Sequence, residues 1–99
     1  MIIGIPKEIK IHEYRVSLTP AGVTRLVDCG HQVIVQSHAG KAVGFSDLDY
    51  QASGAKIVAS AQHVFDQAEM IIKVKEPQPV ECALLKKGQL LFTYLIISS

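Results

Sequence analysis

Several features that define common classes of protein are missing from this 99-residue sequence. Ten Lys and Arg residues almost balance nine Asp and Glu residues, so the net charge of +1 lacks the basic excess typical of nucleic-acid binding. The longest apolar run, 90–97, is interrupted by Thr93 and is far shorter than the ~20 residues that cross a bilayer. The N-terminus carries neither the basic region nor the cleavage site of a secretory signal. We therefore expect a cytoplasmic protein with no nucleic-acid or membrane partner.

Motifs for metal, disulfide and dinucleotide binding are missing as well. The two cysteines, Cys29 and Cys82, have no CxxC spacing and lie among apolar residues, which predicts buried free thiols. No two of the four histidines have metal-ligand spacing. No GxGxxG motif follows a predicted strand, so we expect no cofactor in this chain, and a nicotinamide cofactor would have to be held elsewhere.

What the sequence does contain is enough apolar material for one packed domain. Apolar residues make up 48% of the chain and charged residues 19%, which excludes a disordered polymer. Strands of unbroken Ile, Val and Leu are predicted at 2–5, 32–36, 57–58, 70–74 and 90–97. Helices are predicted to begin after Thr19, Ser46 and Ser60 and at Pro79. The last helix carries Val80, Ala83 and Leu84 at helical spacing and is predicted to stop at Gly88. Strands without polar alternation suit a sheet that is buried on both faces. The pattern predicts a three-layer α/β fold: a mostly parallel five-stranded sheet with helices on both faces, of the flavodoxin-like kind.

Charged residues follow two of the predicted strands where each strand ends. Lys7, Glu8 and, through the next loop, Arg15 follow the first strand, and Lys75 and Glu76 follow the fourth. The carboxyl ends of parallel strands share one edge, so these cations are expected to converge on an anion such as a carboxylate, with the glutamates holding them in position. Ordinary solvated loop charges remain the alternative, since spacing alone does not decide. A receiver-type phosphoacceptor domain has the same architecture, but it needs acidic residues where Lys7-Glu8 stands.

Six segments of the chain resemble the N-terminal region of the alanine dehydrogenase and pyridine nucleotide transhydrogenase family. They are IGIPKE at 3–8, EYRVSLTPAGV at 13–23, GFSD at 44–47, GAKIV at 54–58, VKEP at 74–77 and LFTYL at 91–95. The segments occur in the family's order and cover nearly the whole chain. VKEP and FTYL are more similar to alanine dehydrogenase than to the transhydrogenase alpha chain.

The resemblance implies an enzyme that interconverts L-alanine with pyruvate and ammonia, uses NAD as hydride carrier and forms a homo-oligomer. Arg15 matches the family's substrate-binding arginine and Lys75 its substrate lysine, while Lys7 and Glu13 are expected to support them. Residues 1–99 would then be an incomplete N-terminal part of the substrate domain, without the family's NAD-binding Rossmann domain.

One position departs from the family pattern. The family carries a histidine for proton transfer or substrate orientation after FTYL, and Ile96 occupies that place here. Because isoleucine has no proton to transfer, no catalytic residue is assigned and the 99-residue chain is expected to be inactive alone. The alternative hypothesis is a non-catalytic α/β module that binds a small carboxylate or a protein partner. Either way, we expect uncovered apolar surface and self-association.

Overall fold

The computed structural model of this protein describes residues 1–9 and 15–94. Within these residues strands and α-helices alternate along the chain. They are β1 (Ile2–Ile5), α1 (Pro20–Asp28), β2 (Gln32–Gln36), a 3-10 turn (Lys41–Val43), α2 (Asp47–Ala52), β3 (Lys56–Val58), α3 (Ala61–Gln67), β4 (Met70–Lys73), α4 (Pro79–Cys82) and β5 (Leu90–Thr93).

The helices begin where capping chemistry predicts. The Thr19 hydroxyl accepts a hydrogen bond from the Gly22 amide at 3.2 Å, and Pro20 occupies the first helical position of α1. Ser46 and Asp49 form a reciprocal capping box at the start of α2, with bonds of 3.1 and 2.9 Å. These caps satisfy amide groups that have no partner inside the helix, so local sequence is enough to place both helix starts.

The described strands form one sheet in the order β3-β2-β1-β4-β5, and every neighbouring pair is parallel. The predicted fold class is confirmed. The order differs from the 2-1-3-4-5 of flavodoxin and matches the first five strands of a 3-2-1-4-5-6 sheet. The direction of winding reverses at β1, so the crevice between β1 and β4 is the topological switch point of the sheet.

Helices cover both faces of the central strands. On one face, Val23 of α1 and Tyr50 of α2 pack against Ile3 and Ile5 of β1. On the other face, a second apolar cluster joins helix and strand residues; it comprises Ile34, Val58, Val64, Phe65, Ala68 and Ile71. A Cβ atom at Gly4 would lie 2.7 Å from both Ala68 Cβ and Val64 Cγ1, so glycine permits the close approach of α3 to β1. The three predicted layers are therefore present.

Two expectations about the C-terminal third are wrong. The helix expected from Pro79 to Gly88 is a single turn, Pro79–Cys82, and its supposedly inward residue Val80 is 62% exposed. The buried residue of this turn is Glu81, because it pairs with a buried lysine. Strand β5 was expected to be buried on both faces, but Leu90 and Phe92 are 53% and 51% exposed, since no described helix covers this edge of the sheet.

Cys29 and Cys82 are free, as predicted, but both are exposed. The expected burial is wrong because each cysteine lies at the C-terminal end of a helix that faces solvent there. No helix within residues 1–9 and 15–94 has the length and hydropathy to span a membrane.

Candidate functional site

The carboxyl ends of β1 and β4 flank the switch point, where ligands of open parallel sheets bind. The segment after β1 begins with Pro6, Lys7 and Glu8, and the segment after β4 begins with Val74 and Lys75. The structure joins the two segments directly through the side chain of Glu8, which is only 5% exposed.

The Glu8 carboxylate accepts three hydrogen bonds from the end of β4. Its Oε1 accepts from the Lys73 ammonium at 3.1 Å and from the Lys75 amide at 3.2 Å, and its Oε2 accepts from the Val74 amide at 3.2 Å. The position of Glu8 after the first strand predicted that it would hold nearby cations. Glu8 does hold a cation, Lys73, and it also accepts from the successive backbone amides of Val74 and Lys75.

Lys73 lies between two carboxylates, and its side chain is 1% exposed. Its ammonium is 3.1 Å from Glu8 Oε1 and 3.0 Å from Glu81 Oε2, the latter an ion pair without hydrogen-bond geometry. Glu81 Oε1 accepts from the Gln78 amide at 2.9 Å and so caps α4. We call Glu8, Lys73 and Glu81 the buried ionic triad. Burying these charges is costly unless each is paired, so all three side chains depend on one another.

Lys73 and Glu81 were not predicted from the sequence to belong to this site. The available signal was a lysine at the end of the apolar strand Met70–Lys73, where a charge has to find a partner if the strand is buried.

A pocket of about 500 Å³ opens beside the triad at the same edge of the sheet, and we call it the β4 pocket. It is lined by Arg15, Val16, Ser17, Val74 and Tyr94. The buried Ser17 hydroxyl donates to the Ile72 carbonyl of β4 at 2.9 Å, which fixes the segment that carries Arg15. The Tyr94 amide donates to the Lys73 carbonyl at 3.0 Å. The expected approach of Arg15 to the end of β4 is therefore present.

The other predicted site residues lie at different distances from this pocket. Lys75 directly follows the pocket residue Val74 and is half-buried. Lys7 is exposed, and its amide donates to Gln36 Oε1 at 2.8 Å, so its backbone is tied to the end of β2 rather than β4. Glu13 and Ile96 lie outside the described residues.

A second hollow, of about 380 Å³, lies after β2 and includes His38, Phe45 and Asp47 in its lining. Asp47 accepts from the Ser37 hydroxyl at 2.6 Å and from the His38 amide at 2.8 Å. Burial alone would raise the pKa of the Asp47 carboxyl, but these hydrogen bonds and the nearby His38 ring outweigh it and lower the pKa. The Asp47 bond holds His38 in a left-handed conformation with φ of 68°, which makes this loop a structural turn.

The described residues do not fit a dinucleotide or a metal ion. In dinucleotide-binding sheets a glycine-rich turn after β1 admits the pyrophosphate to the switch point. Here Pro6, Lys7 and Glu8 follow β1, and the Glu8 carboxylate itself occupies the amides at the end of β4, where a phosphate would be repelled. Within residues 1–9 and 15–94 no three His, Cys, Asp or Glu side chains are grouped as metal ligands.

The fold and this site together define a parallel α/β domain with a pocket, lined in part by an arginine, at the carboxyl end of β4. A family model described as "Alanine dehydrogenase/PNT, N-terminal domain" matches residues 4–98, and the chain belongs to this family. The resemblance that the sequence motifs predicted is confirmed.

Curated relatives and solved structures agree with this assignment. The chain is 56% identical to the alanine dehydrogenase of Halomonas elongata and 50% identical to that of Bacillus subtilis, in each case over all 99 residues. It spans 27% and 26% of their lengths, about a quarter of each relative.

Two solved structures share the fold over most of the described chain. An L-alanine dehydrogenase superposes with a TM-score of 0.87 at 47% identity and covers 94% of this chain, which spans 26% of that protein. A transhydrogenase from Sinorhizobium meliloti superposes with a TM-score of 0.89 at 26% identity, covering 96% of this chain and 28% of its own.

Proposed function

We propose that this chain binds the substrate carboxylate for an NAD-dependent L-alanine dehydrogenase, which interconverts L-alanine with pyruvate and ammonia. In this proposal residues 1–99 form the N-terminal portion of the substrate domain, and the NAD-binding Rossmann domain lies outside them. The observation that carries the proposal is the β4 pocket, which is lined by both Arg15 and Val74, the residue directly before Lys75. The choice of L-alanine and pyruvate as the substrate pair is supported by the relatives, which are alanine dehydrogenases.

Arg15 binds the carboxylate of pyruvate or L-alanine in this proposal. Its guanidinium is planar and can donate to both carboxylate oxygens at once, which orients the substrate as well as attracting it. Support comes from Ser17, whose buried hydrogen bond to Ile72 fixes the chain two residues from Arg15. A fixed backbone lowers the entropy that is lost when the side chain orders around a ligand.

Lys75 also binds the substrate in this proposal, at its carboxylate or at its 2-oxo oxygen. Its ammonium is a point charge that can donate to the carboxylate or to the 2-oxo oxygen, where it stabilises negative charge that develops on oxygen. For Lys7 and Glu13 the supporting role rests on the family resemblance alone, since the Lys7 backbone is held at the end of β2 and Glu13 lies outside the described residues.

NAD supplies the hydride chemistry of the family, but it is not bound by the residues described here. Proton transfer also lacks a donor, because Ile96 replaces the histidine of the family. We therefore propose that the 99-residue chain binds substrate without turning it over.

Calorimetric titration of the purified chain with sodium pyruvate tests the binding. We expect Arg15→Ala and Lys75→Ala each to weaken pyruvate binding at least about tenfold, the loss of roughly one charge-assisted hydrogen bond. Arg25→Ala and Lys87→Ala are matched controls, since each removes the same charge from an exposed position elsewhere. Propionate, which lacks the 2-oxo oxygen, separates the two roles: Lys75→Ala should weaken pyruvate binding more than propionate binding.

Equal losses in the control variants would show non-specific charge attraction and contradict the proposal. An NADH-linked assay with pyruvate and ammonia tests inactivity, and turnover by the 99-residue chain would contradict it. Binding of neither pyruvate nor alanine by wild-type protein would leave the alternative, a module that acts through a protein partner.

A further inference from the structure

We infer that Glu8 is a positioning residue for the β4 pocket: its carboxylate holds the Val74–Lys75 backbone so that the Lys75 side chain meets the bound anion. This inference rests on the proposed binding of a carboxylate by Arg15 and Lys75. It assigns a role to a residue that lies 66 and 67 positions away in sequence from the two amides that it holds.

The geometry ties the pocket to Glu8 at two successive amides. Strand β4 ends at Lys73, and beyond it the chain has left the hydrogen-bonded ladder of the sheet. The Val74 and Lys75 amides donate instead to the two oxygens of the Glu8 carboxylate, each at 3.2 Å. Val74 lines the β4 pocket. A single side chain thus sets the path of the backbone on which the lysine is carried.

Glu8 is itself held in place by charge and burial. Its Oε1 is 3.1 Å from the Lys73 ammonium, and both side chains are almost completely excluded from solvent. Lys73 is held in turn by Glu81 at 3.0 Å. In a site of low dielectric, such pairs resist reorientation because any movement leaves a buried charge without its partner. The triad therefore gives the Glu8 carboxylate one orientation.

Glu81 provides a natural comparison within the triad. Its side chain is almost completely buried, like that of Glu8, and equally close to Lys73, but its second oxygen accepts from the Gln78 amide, just before α4, instead of from the Val74 and Lys75 amides. A role limited to neutralising Lys73 would make the two glutamates equivalent. A positioning role makes Glu8 act on the ligand directly through the two amides, and Glu81 only indirectly through Lys73, so the loss of Glu8 has the larger effect.

The experiment compares Glu8→Gln with Glu81→Gln in the 99-residue chain, using pyruvate titration by NMR and correcting each Kd for the folded fraction. We expect Glu8→Gln to weaken pyruvate binding about tenfold and Glu81→Gln to weaken it by a smaller factor, about threefold at most, since Glu81 acts on the pocket only through Lys73 and Glu8. In a Lys75→Ala background, Glu8→Gln should have no further effect, because the side chain that it positions is gone.

The possible outcomes of this comparison separate a positioning role of Glu8 from a purely structural one. Equal losses in the two glutamine variants, or a Glu8→Gln loss that adds fully to that of Lys75→Ala, would overturn the positioning role while leaving substrate binding intact. An unchanged Kd in Glu8→Gln would do the same. Absence of pyruvate binding by the wild-type chain would overturn the proposed function and this inference with it.

Glu8→Asp is the second variant if Glu8→Gln does not fold. Aspartate keeps the negative charge that Lys73 needs but is shorter by one methylene, so it reaches the two amides less well. We expect Glu8→Asp to fold, to weaken pyruvate binding severalfold and to speed hydrogen exchange at the Val74 and Lys75 amides. A folded Glu8→Asp variant with wild-type pyruvate affinity would contradict the inference.

Discussion

Strands β4 and β5 are paired neighbours with similarly apolar sequences, but they have opposite environments. In β4 even a lysine is buried, with Lys73 1% exposed, whereas in β5 Phe92 is 51% exposed. β4 lies between β1 and β5, under helices, while β5 has one strand neighbour in the described chain and no helix over it. Position in the sheet, rather than composition, therefore decides burial in these two strands.

The largest expected effect concerns the charge buried in β4. Lys73→Met leaves Glu8 and Glu81 facing each other without the cation between them, and we expect a loss of about 3–5 kcal/mol in the free energy of unfolding. Lys56→Met is the control, because Lys56 is an exposed strand lysine of β3 and should change stability by less than about 0.5 kcal/mol. Urea unfolding followed by circular dichroism measures both. Similar losses in the two variants would show that the triad is no more stabilising than a surface charge.

The next effect compares two apolar residues that face each other in the ladder. Ile71 of β4 is paired in register with Leu91 of β5, and the two are 0% and 39% exposed. We expect Ile71→Ala to cost about 3 kcal/mol, because it opens a cavity between helix and sheet, and Leu91→Ala to cost less than about 1 kcal/mol. A loss for Leu91→Ala as large as that for Ile71→Ala would mean that β5 is covered in solution.

A smaller effect is the pH dependence of stability that arises from the buried phenol of Tyr50 in α2. Burial first, and then the nearby Asp49 charge, raise the pKa of the Tyr50 phenol to about 12. The neutral phenol is therefore favoured in the folded state. Its contribution is fully present below the ordinary pKa of about 10 and is lost as the pH rises towards 12, by roughly 2 kcal/mol.

Comparison with Tyr50→Phe isolates this contribution from other groups that titrate in alkali. At neutral pH the variant should be less stable by about 1 kcal/mol, since it loses the hydrogen bond from the Tyr50 hydroxyl to the Leu18 carbonyl. In urea titrations that difference should shrink above pH 10 and reverse towards pH 12, because the wild-type protein loses roughly 2 kcal/mol that the phenylalanine variant keeps. A difference that stays constant with pH would show that the phenol is accessible to solvent in the folded state.

The smallest effect tests whether the exposed β5 surface drives self-association. We expect the wild-type chain to associate at tens of micromolar, roughly, and Phe92→Lys to weaken the association about tenfold, or about 1.4 kcal/mol. Leu48→Lys is the control, since Leu48 is 74% exposed but lies on α2. Sedimentation velocity distinguishes the cases, and a monomeric wild-type chain at that concentration would contradict the prediction.

Much of the fold could be predicted because its signals are local. Thr19, Pro20 and Ser46 place helix starts through bonds to residues three positions away or through a fixed backbone angle. The approach of Arg15 to β4 was also predictable, since parallel strands bring their carboxyl ends to one edge.

The parts that could not be predicted depend on partners far away in sequence. The sequence places Lys73 near the end of an apolar strand but does not predict its burial. Its burial is explained by the ion pairs with Glu8 and Glu81. Leu90 and Phe92 were predicted from their apolar side chains to be core residues. They are exposed because β5 lies at the edge of the described sheet.

By itself, the sequence determined the types of element, most of their boundaries and the layered parallel class, because caps and apolar periodicity act within a few residues. Tertiary structure decided the strand order, which apolar strand is covered and which charges are buried. Glu8 and Lys73 are 65 residues apart, and only folding brings them to 3.1 Å. A charge can be buried at low cost only when it is paired with an opposite charge, and no local sequence pattern shows whether folding brings that partner close.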